Sequence, residues 1–146
     1  MSTVSKQVLI NAPVTKVFAF VINPENWTKY VTSLVEVKNV SSPNAEKGTT
    51  FNWTYRMIGM NFHGRGQVTE NTKNKKFGLK MDGSFPITES YSFTSVENGT
   101  ELSIEVEYEM PGKVMSVLTN KGLMEKINKK ESDNVLSKIK LFCESM

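Results

Sequence analysis

The sequence predicts an α+β fold in which a curved antiparallel sheet is covered by helices. First, large apolar or aromatic residues alternate with polar ones through most of residues 48–110, which is typical of strands with one covered and one wet face. Second, short turn-forming segments such as Asn98-Gly99 separate these runs, and such short links favour antiparallel neighbours. Third, apolar residues at helical spacing follow the first strand and return near the C-terminus, which indicates a layer of helices over the sheet.

The elements follow from local patterns. Alternation through Val4, Val8 and Ile10 predicts a first strand, and Pro13 suits the first turn of the helix that follows. Asn23-Pro24 ends that helix, because the residue before proline disfavours helical geometry, and a second short helix carries Trp27 and Tyr30. The predicted order is a strand at 3–11, two helices, strands at 34–40, 48–58, 60–70, 75–82, 87–96 and 101–110, and a helix from about 113 to the C-terminus with a kink at Asn120-Lys121-Gly122.

Size and composition narrow the class of protein. A chain of 146 residues fits a single domain, residues 1–146, and can bury a core without disulfides or metals. The net charge of +3 and the absence of a dense basic stripe argue against a nucleic-acid partner. Neither a signal peptide nor an apolar run long enough to cross a membrane is visible, so we expect a cytoplasmic protein with no integral membrane segment.

The residues most often used in catalytic and metal sites are sparse. His63 is the sole histidine and alternates onto the wet face, while Cys143 is the sole cysteine and lies on an apolar helical stripe, where a small buried side chain is expected. This leaves no nucleophile–histidine triad, no metal site and no cofactor motif. A solvated acidic stripe is expected on the outer face, paired with Lys76 and Lys80 on a neighbouring strand; it comprises Glu101, Glu105, Glu107 and Glu109.

Three segments carry a family resemblance. Ile10-Asn11-Ala12-Pro13 leads into Val17-Phe18-Ala19-Phe20-Val21, Asn23-Pro24-Glu25-Asn26-Trp27 follows, and the last helix ends with Asp133-Asn134-Val135-Leu136-Ser137-Lys138-Ile139-Lys140. With these segments the whole chain resembles the START-like (SRPBCC) superfamily, which includes the birch-pollen allergen and bacterial polyketide cyclase/dehydrase-like proteins. The resemblance implies a helix-grip fold: a seven-stranded curved sheet wrapped around a long C-terminal helix, with two short helices between strands 1 and 2 and a hydrophobic cavity.

The covered face of the sheet is the predicted binding surface for a hydrophobic small molecule. Aromatic rings, tyrosine hydroxyls and adaptable methionines in phase on one face are typical of a ligand pocket, although ordinary core packing explains each residue alone. Gly64 and Gly66 lie in the same phase and mark either sheet bending or room for a ligand. The predicted ligand-binding residues are Trp53, Tyr55, Met57, Phe62, Phe77, Leu79, Met81, Tyr91, Phe93, Ile104, Val106, Tyr108, Met124, Asn128 and Ser132.

Two acids are the candidates for proton transfer. Glu89 is in phase with Tyr91, and Glu131 borders the apolar face of the last helix; we expect both at the rim in water, and a bulge before Tyr91 would turn Glu89 outward. The leading functional hypothesis is binding or transport of a lipid, aromatic or polyketide-like molecule. The alternatives are a polyketide cyclase/dehydratase using Glu89, Glu131 or a tyrosine as acid or base, and an interaction module like a chaperone-ATPase activator. A monomer and a weak dimer are both open.

Overall fold

The elements occur in the predicted order. The computed structural model describes residues 2–57, 59–83, 86–109 and 121–146, and only the backbone of Ser2 and of residues 121–124. The predicted start of the last helix near residue 113 and its predicted kink, which involves Asn120, lie outside these ranges. The elements are β1 (Ser2–Ile10), α1 (Val14–Ile22), α2 (Pro24–Tyr30), β2 (Leu34–Lys38), β3 (Thr50–Met57), β4 (Met60–Thr72), β5 (Lys76–Gly83), β6 (Ile87–Val96), β7 (Gly99–Tyr108) and α3 (Lys121–Ser145).

The strands form one seven-stranded antiparallel sheet, as predicted. Its order is β1-β7-β6-β5-β4-β3-β2. Strands β2 to β7 therefore follow one another as a meander, while β1 pairs with β7 over its whole length. Helices α1 and α2 carry the chain from one edge strand, β1, to the other, β2, and so lie across one face of the sheet. That face, together with the helices, buries the hydrophobic core.

The turn between β6 and β7 is shorter than predicted, since β6 ends at Val96 as expected but β7 begins at Gly99 instead of residue 101. Val96 pairs with Gly99, so Glu97 and Asn98 form the turn, and Asn98 adopts the left-handed region at φ 68°. Asparagine tolerates this region better than most residues. Gly99 opens β7 where a Cβ would collide with the backbone carbonyl of Ile10 in β1. Glycine is thus needed here for the close approach of two strands, not for the turn itself.

Side chains of α2 complete the end of α1. The last carbonyls of a helix lack intrahelical partners. The Trp27 indole and the Tyr30 hydroxyl both donate to the Val21 carbonyl, at 3.0 and 2.9 Å, and the Asn26 amide donates to the Phe20 carbonyl at 3.0 Å. All three donors are buried. These residues therefore hold the corner between the two helices, which gives the Asn26-Trp27 part of the resemblance a structural reason.

Helix α3 packs along β1 and β7 and against both short helices. Two contacts fix its C-terminal end to β1: the Asn11 amide donates to a Glu144 carboxylate oxygen at 2.8 Å, and Lys140 donates to the Leu9 carbonyl at 2.8 Å. The buried stripe of its described side chains comprises Ser132, Val135, Leu136, Ile139 and Cys143. The apolar residues at helical spacing near the C-terminus therefore form the buried side of α3.

Two glycines on the concave face make room for aromatic rings. Gly64 pairs with Trp53 and Gly66 with Phe51 across β3 and β4. A Cβ on Gly64 would lie 2.6 Å from the Trp53 ring, and one on Gly66 would collide with the Phe51 ring. The Trp53 indole also donates to the Arg65 carbonyl at 3.0 Å, which fixes its ring over this strand. The space is thus filled by the protein's own rings and is not open to a ligand.

The outer face is polar, but its charges are not paired as predicted. The acidic stripe lies on β7, and β6 separates it from Lys76 and Lys80 on β5. The outward neighbours of Glu105 are Ser5 and Ser90. No ion pair joins the stripe to either lysine among the described side chains. The predicted cross-strand pairing was wrong because the meander order places β6, whose outward side chains are uncharged, between the two sets of charges.

The single histidine and the single cysteine lie as predicted. His63 is exposed on the outer face, where its Nδ1 is 3.1 Å from the Thr54 hydroxyl. Cys143 is a free, buried residue, and burial raises the pKa of its thiol to about 11. A thiol that stays protonated is a poor nucleophile.

Candidate functional site

A buried carboxyl is the central polar feature of the interior. Glu89 is 7% exposed. Strand β6 pairs with β5 and β7 without irregularity here, so Glu89 keeps the phase of Tyr91 and lies between Leu79 and Val106 on the concave face. The prediction that Glu89 lies at the rim was therefore wrong, because the bulge that would turn it outward does not occur.

Burial favours the protonated, uncharged form of this carboxyl and so raises its pKa. Loss of hydration raises the pKa of Glu89 from 4.5 to about 7, against the opposing effect of the Tyr55 hydroxyl, which donates to Glu89 Oε1 at 3.3 Å. The negative charge of Glu131 raises the pKa further. Among the residues that the structure describes, no positively charged side chain contributes to this balance. Near pH 7 the group can therefore both donate and accept a proton.

Tyr91 contributes a buried hydroxyl that makes no hydrogen bond of acceptable geometry with any described residue, although Tyr30 and Glu89 lie nearby. Tyr91 is 0% exposed, and its ring meets that of Tyr30 edge-on at 6.3 Å. Its hydroxyl lies close enough to Glu89 to lower the pKa of that carboxyl slightly, but not at a hydrogen-bonding geometry. Burial, followed by the charge of Glu89, raises the pKa of Tyr91 well above 10, so the hydroxyl stays protonated. An unpaired buried polar atom costs roughly 1–3 kcal/mol and calls for a reason.

A small void adjoins these polar groups. It has a volume of about 10 Å³. That is room for roughly one water molecule. The walls come from α2 and the loop after it and from β2, β3, β5 and β6. They comprise Trp27, Tyr30, Val31, Leu34, Phe51, Tyr55, Leu79, Met81, Glu89 and Tyr91.

Glu131 is not part of this cluster. It is half-buried on α3, where it accepts hydrogen bonds from the loop between α2 and β2: from the Thr32 hydroxyl at 3.1 Å, and from the Ser33 amide and hydroxyl at 3.1 and 3.0 Å. Three donors leave this carboxylate well satisfied. Of the two candidate acids, Glu131 therefore fastens the helix to a loop, and Glu89 is available for chemistry.

Most of the predicted ligand-binding residues lie on the concave side, but only four adjoin the void. Those four are Tyr55, Leu79, Met81 and Tyr91. Phe93 packs edge-on against Phe18 at 5.1 Å as ordinary core. The side chain of Met124 lies outside the described residues. Of the remainder, the buried ones are Trp53, Phe62, Phe77, Ile104, Tyr108 and Ser132, and the half-buried ones are Met57, Val106 and Asn128.

The sequence analysis missed the helical side of the site. Trp27, Tyr30 and Val31 line the void from α2 and its C-terminal end, Leu34 follows at the start of β2, and Phe51 faces them from β3. A signal existed, because Trp27, Tyr30 and Val31 have the three- and four-residue spacing of an apolar helical face. It was not used, since the predicted pocket was drawn from strand alternation and the last helix.

Two kinds of feature are absent from the part of the chain that the structure describes. Its histidine, cysteine and acidic side chains form no group of three or more that could hold a metal ion. Its helices include none that is long and apolar enough to span a membrane.

Comparison with protein families agrees with the geometry. Residues 1–144 match the family model described as polyketide cyclase / dehydrase and lipid transport. The chain belongs to this family. No curated protein matches it by sequence.

Solved structures of family-like fold are distant in sequence. The protein TTHA0849 from Thermus thermophilus is similar with a TM-score of 0.78 and 16% identity over 95% of this chain and 94% of that one. A START superfamily protein from Mycobacterium smegmatis is similar with a TM-score of 0.74 and 12% identity over 98% of this chain and 97% of that one. The di-domain ARO/CYC StfQ from the steffimycin biosynthetic pathway is similar with a TM-score of 0.78 and 12% identity over 98% of this chain and 50% of that one. At such identities the likeness shows the helix-grip fold alone.

Proposed function

We propose that this protein binds a hydrophobic small molecule, such as a lipid or an aromatic or polyketide-like compound, between the concave face of the sheet and its helices. The observation that carries the proposal is the group formed by Glu89, Tyr55 and Tyr91, buried in an otherwise apolar interior. An apolar pocket with a few convergent polar groups is the usual form of a ligand site. Membership of a family whose description includes lipid transport supports the same conclusion.

Tyr91 is one of three buried residues, with Thr49 and Tyr108, whose hydroxyl has no hydrogen-bond partner among the described residues, and it is the one of the three that lines the void beside Glu89. Asn26, Trp27 and Tyr30 each donate to a carbonyl of α1, so their burial has a structural reason. Glu89 has no positive partner, and the Tyr91 hydroxyl has no hydrogen-bond partner, among the described residues. Packing alone would favour apolar residues at both positions. Their presence supports a role toward a bound molecule.

Ligand entry requires side chains to move. A void of about 10 Å³ is far smaller than a drug-sized molecule. Met81 is the most adaptable wall, since methionine has three rotatable bonds and fills irregular spaces. Val31 and Leu34 flank the short loop that is hydrogen-bonded to Glu131 of α3. A shift of this loop is the second movement that could enlarge the void. We therefore expect binding to enlarge the interior beside Glu89.

Acid–base catalysis is the second candidate, and the environment of Glu89 favours it. A carboxyl with a pKa of about 7 beside a protonated tyrosine is suited to donating a proton to a carbonyl oxygen or removing one from the adjacent carbon. Cyclisation followed by loss of water would use both steps. Binding is the more economical proposal, since it needs only the polar group and the apolar walls.

The first test is native mass spectrometry of the protein purified from its own host, followed by denaturing extraction. We expect a hydrophobic passenger at close to one per chain. A single passenger species supports a carrier, whereas a pair of species that differ by one water supports the cyclase/dehydratase candidate. A protein that is empty and also takes up no environment-sensitive hydrophobic dye would contradict the proposal.

Replacing Tyr91 with Phe is expected to weaken a polar ligand more than an apolar one. Loss of one hydrogen bond of about 1 kcal/mol should weaken 1-naphthalenemethanol roughly fivefold and leave 1-methylnaphthalene within about twofold, as measured by calorimetry. The matched control is Tyr30→Phe, because the Tyr30 hydroxyl is already engaged by the Val21 carbonyl. It should lower stability without changing the ratio of the two affinities. Equal weakening of both ligands by Tyr91→Phe would count against the role of this hydroxyl.

A further inference from the structure

We propose that the ligand carries a protonated amine, which Glu89 binds within a cage of aromatic rings. The inference rests on the proposed function and specifies the chemical class of its ligand: an apolar molecule with one cationic amino group. The aromatic cage is the set Trp27, Tyr30, Phe51, Tyr55 and Tyr91, the aromatic residues that line the void beside Glu89.

The charges that face Glu89 are all negative or neutral. Glu131 on α3 adds a second negative charge, close enough to raise the pKa of Glu89. On β1, Lys6 has the phase of the concave face, but it lies at the sheet edge and forms an ion pair with Asp133 of α3 at 3.5 Å. The site therefore holds a buried carboxyl whose countercharge is missing from the described residues, which a cationic ligand would supply.

The other elements around Glu89 contribute no charge. The titratable groups that face it are tyrosines: Tyr30 from α2, Tyr55 from β3, Tyr91 from β6 and Tyr108 from β7. Strands β4 and β5 present buried apolar side chains on this face, namely Phe62 and Val68, and Phe77, Leu79 and Met81. Nothing described near Glu89 would repel a cation.

The aromatic cage adds a second attraction for a cation. The ring centroids of Trp27 and Phe51 lie 4.9 Å apart with an interplanar angle of 60°. Those of Tyr30 and Tyr91 lie 6.3 Å apart with an interplanar angle of 82°. The rings meet at inclined angles rather than in parallel stacks, and all of them line the void beside Glu89. A desolvated cation over such a face gains about 2 kcal/mol. The unpaired oxygen of Tyr91 is an additional acceptor for an ammonium hydrogen.

Other head groups fit this site less well. A carboxylate would add a third negative charge beside Glu89 and Glu131, in a place with little water to screen it. An alcohol would donate a hydrogen bond to Glu89 and accept one from Tyr91, but it would gain neither the charge pairing nor the cation–π attraction. The order of affinity on one apolar body should therefore be amine, then alcohol, then carboxylate.

The test is a calorimetric titration at pH 8 and fixed ionic strength with three probes that share a naphthalene ring: 1-naphthylmethylamine, 1-naphthalenemethanol and 1-naphthaleneacetate. We expect the amine to bind at least about tenfold more tightly than the alcohol, and the acetate to bind most weakly. Glu89→Gln should reduce the advantage of the amine over the alcohol to about twofold or less, because the amide offers no countercharge. The matched control is Glu105→Gln, which removes the same charge from the exposed outer face.

The pH dependence gives an independent readout. The ammonium pairs with ionised Glu89, so the proton held by a carboxyl with a pKa of about 7 must leave before the pair forms. The affinity for the amine should therefore fall about tenfold from pH 8 to pH 6, and the affinity for the alcohol should change little. In Glu89→Gln both affinities should be insensitive to pH over this range.

The outcomes separate this inference from the proposed function. Binding of the alcohol without preference for the amine, or a preference that survives in Glu89→Gln, overturns the inference and leaves the proposed function standing. An equal loss in Glu105→Gln also overturns it, because the preference would then reflect overall charge. Failure of all three probes to bind contradicts both proposals.

Discussion

Replacing Glu89 by Gln is expected to stabilise the protein at pH 8 and to leave its stability at pH 4 almost unchanged. The folded protein holds the Glu89 proton up to a pKa of about 7, whereas the usual value is 4.5. Between these values the unfolded chain releases a proton that the folded chain keeps, so the free energy of unfolding falls as pH rises through this window and stays low above it. The shift corresponds to roughly 3 kcal/mol, which Gln should recover because it is never charged.

Chemical denaturation of both proteins from pH 4 to pH 8 measures this effect. Gln keeps the volume of the side chain and an oxygen that can accept from the Tyr55 hydroxyl, so the comparison isolates the charge. The exposed Glu105→Gln serves as the control and should show no such divergence. A difference in the free energy of unfolding that does not change with pH would show that the charge of Glu89 is not the cause. The expected result would mean that the fold gives up stability for a group retained for function.

Replacing Gly64 by Ala is expected to destabilise the protein by roughly 3 kcal/mol or more. A Cβ at this position would collide with the backbone carbonyl of Asp82 on β5 and would lie 2.6 Å from the Trp53 ring on β3. Backbone cannot yield without breaking the pairing of β4 with β5, and the ring is held by its bond to the Arg65 carbonyl. Thermal or denaturant unfolding of the variant measures the loss.

The control for this substitution is Gly78→Ala on β5. There the nearest atom to a new Cβ is the Thr69 hydroxyl at 2.8 Å, the end of a side chain that can rotate away. We expect a change below about 1 kcal/mol. Similar losses at both positions would contradict the view that Gly64 is required for the packing of Trp53.

The order of elements and the antiparallel meander were predictable because they depend on local patterns, whereas the helix-grip fold was implied by the family resemblance. Alternation in β3 to β7 set the strand faces, and the Asn23-Pro24 break separated α1 from α2. The same alternation placed Glu89 on the concave face, which is a property of strand geometry alone. The outward position of His63 followed in the same way.

The depth and partners of these residues were not predictable. The solvent exposure of Glu89 depends on Tyr30, Tyr55 and Leu79, which come from three other elements and line the void beside it. The prediction of a rim position assumed that a carboxylate would avoid burial, a rule that functional sites break. Glu131 found its partners in Thr32 and Ser33, about a hundred residues away in the chain.

By itself, then, the sequence determined the order of elements, the antiparallel meander and the face on which each strand residue lies, because these depend on spacing and turn chemistry within a few residues. Only the tertiary structure decided that the space at Gly64 and Gly66 belongs to Trp53 and Phe51, that the charges of β5 and β7 do not meet, and that Glu89 is buried with no cation beside it in the described part of the chain. Those outcomes depend on which side chains of distant elements pack together and on how much water they exclude. The spacing of residues along one strand does not determine either.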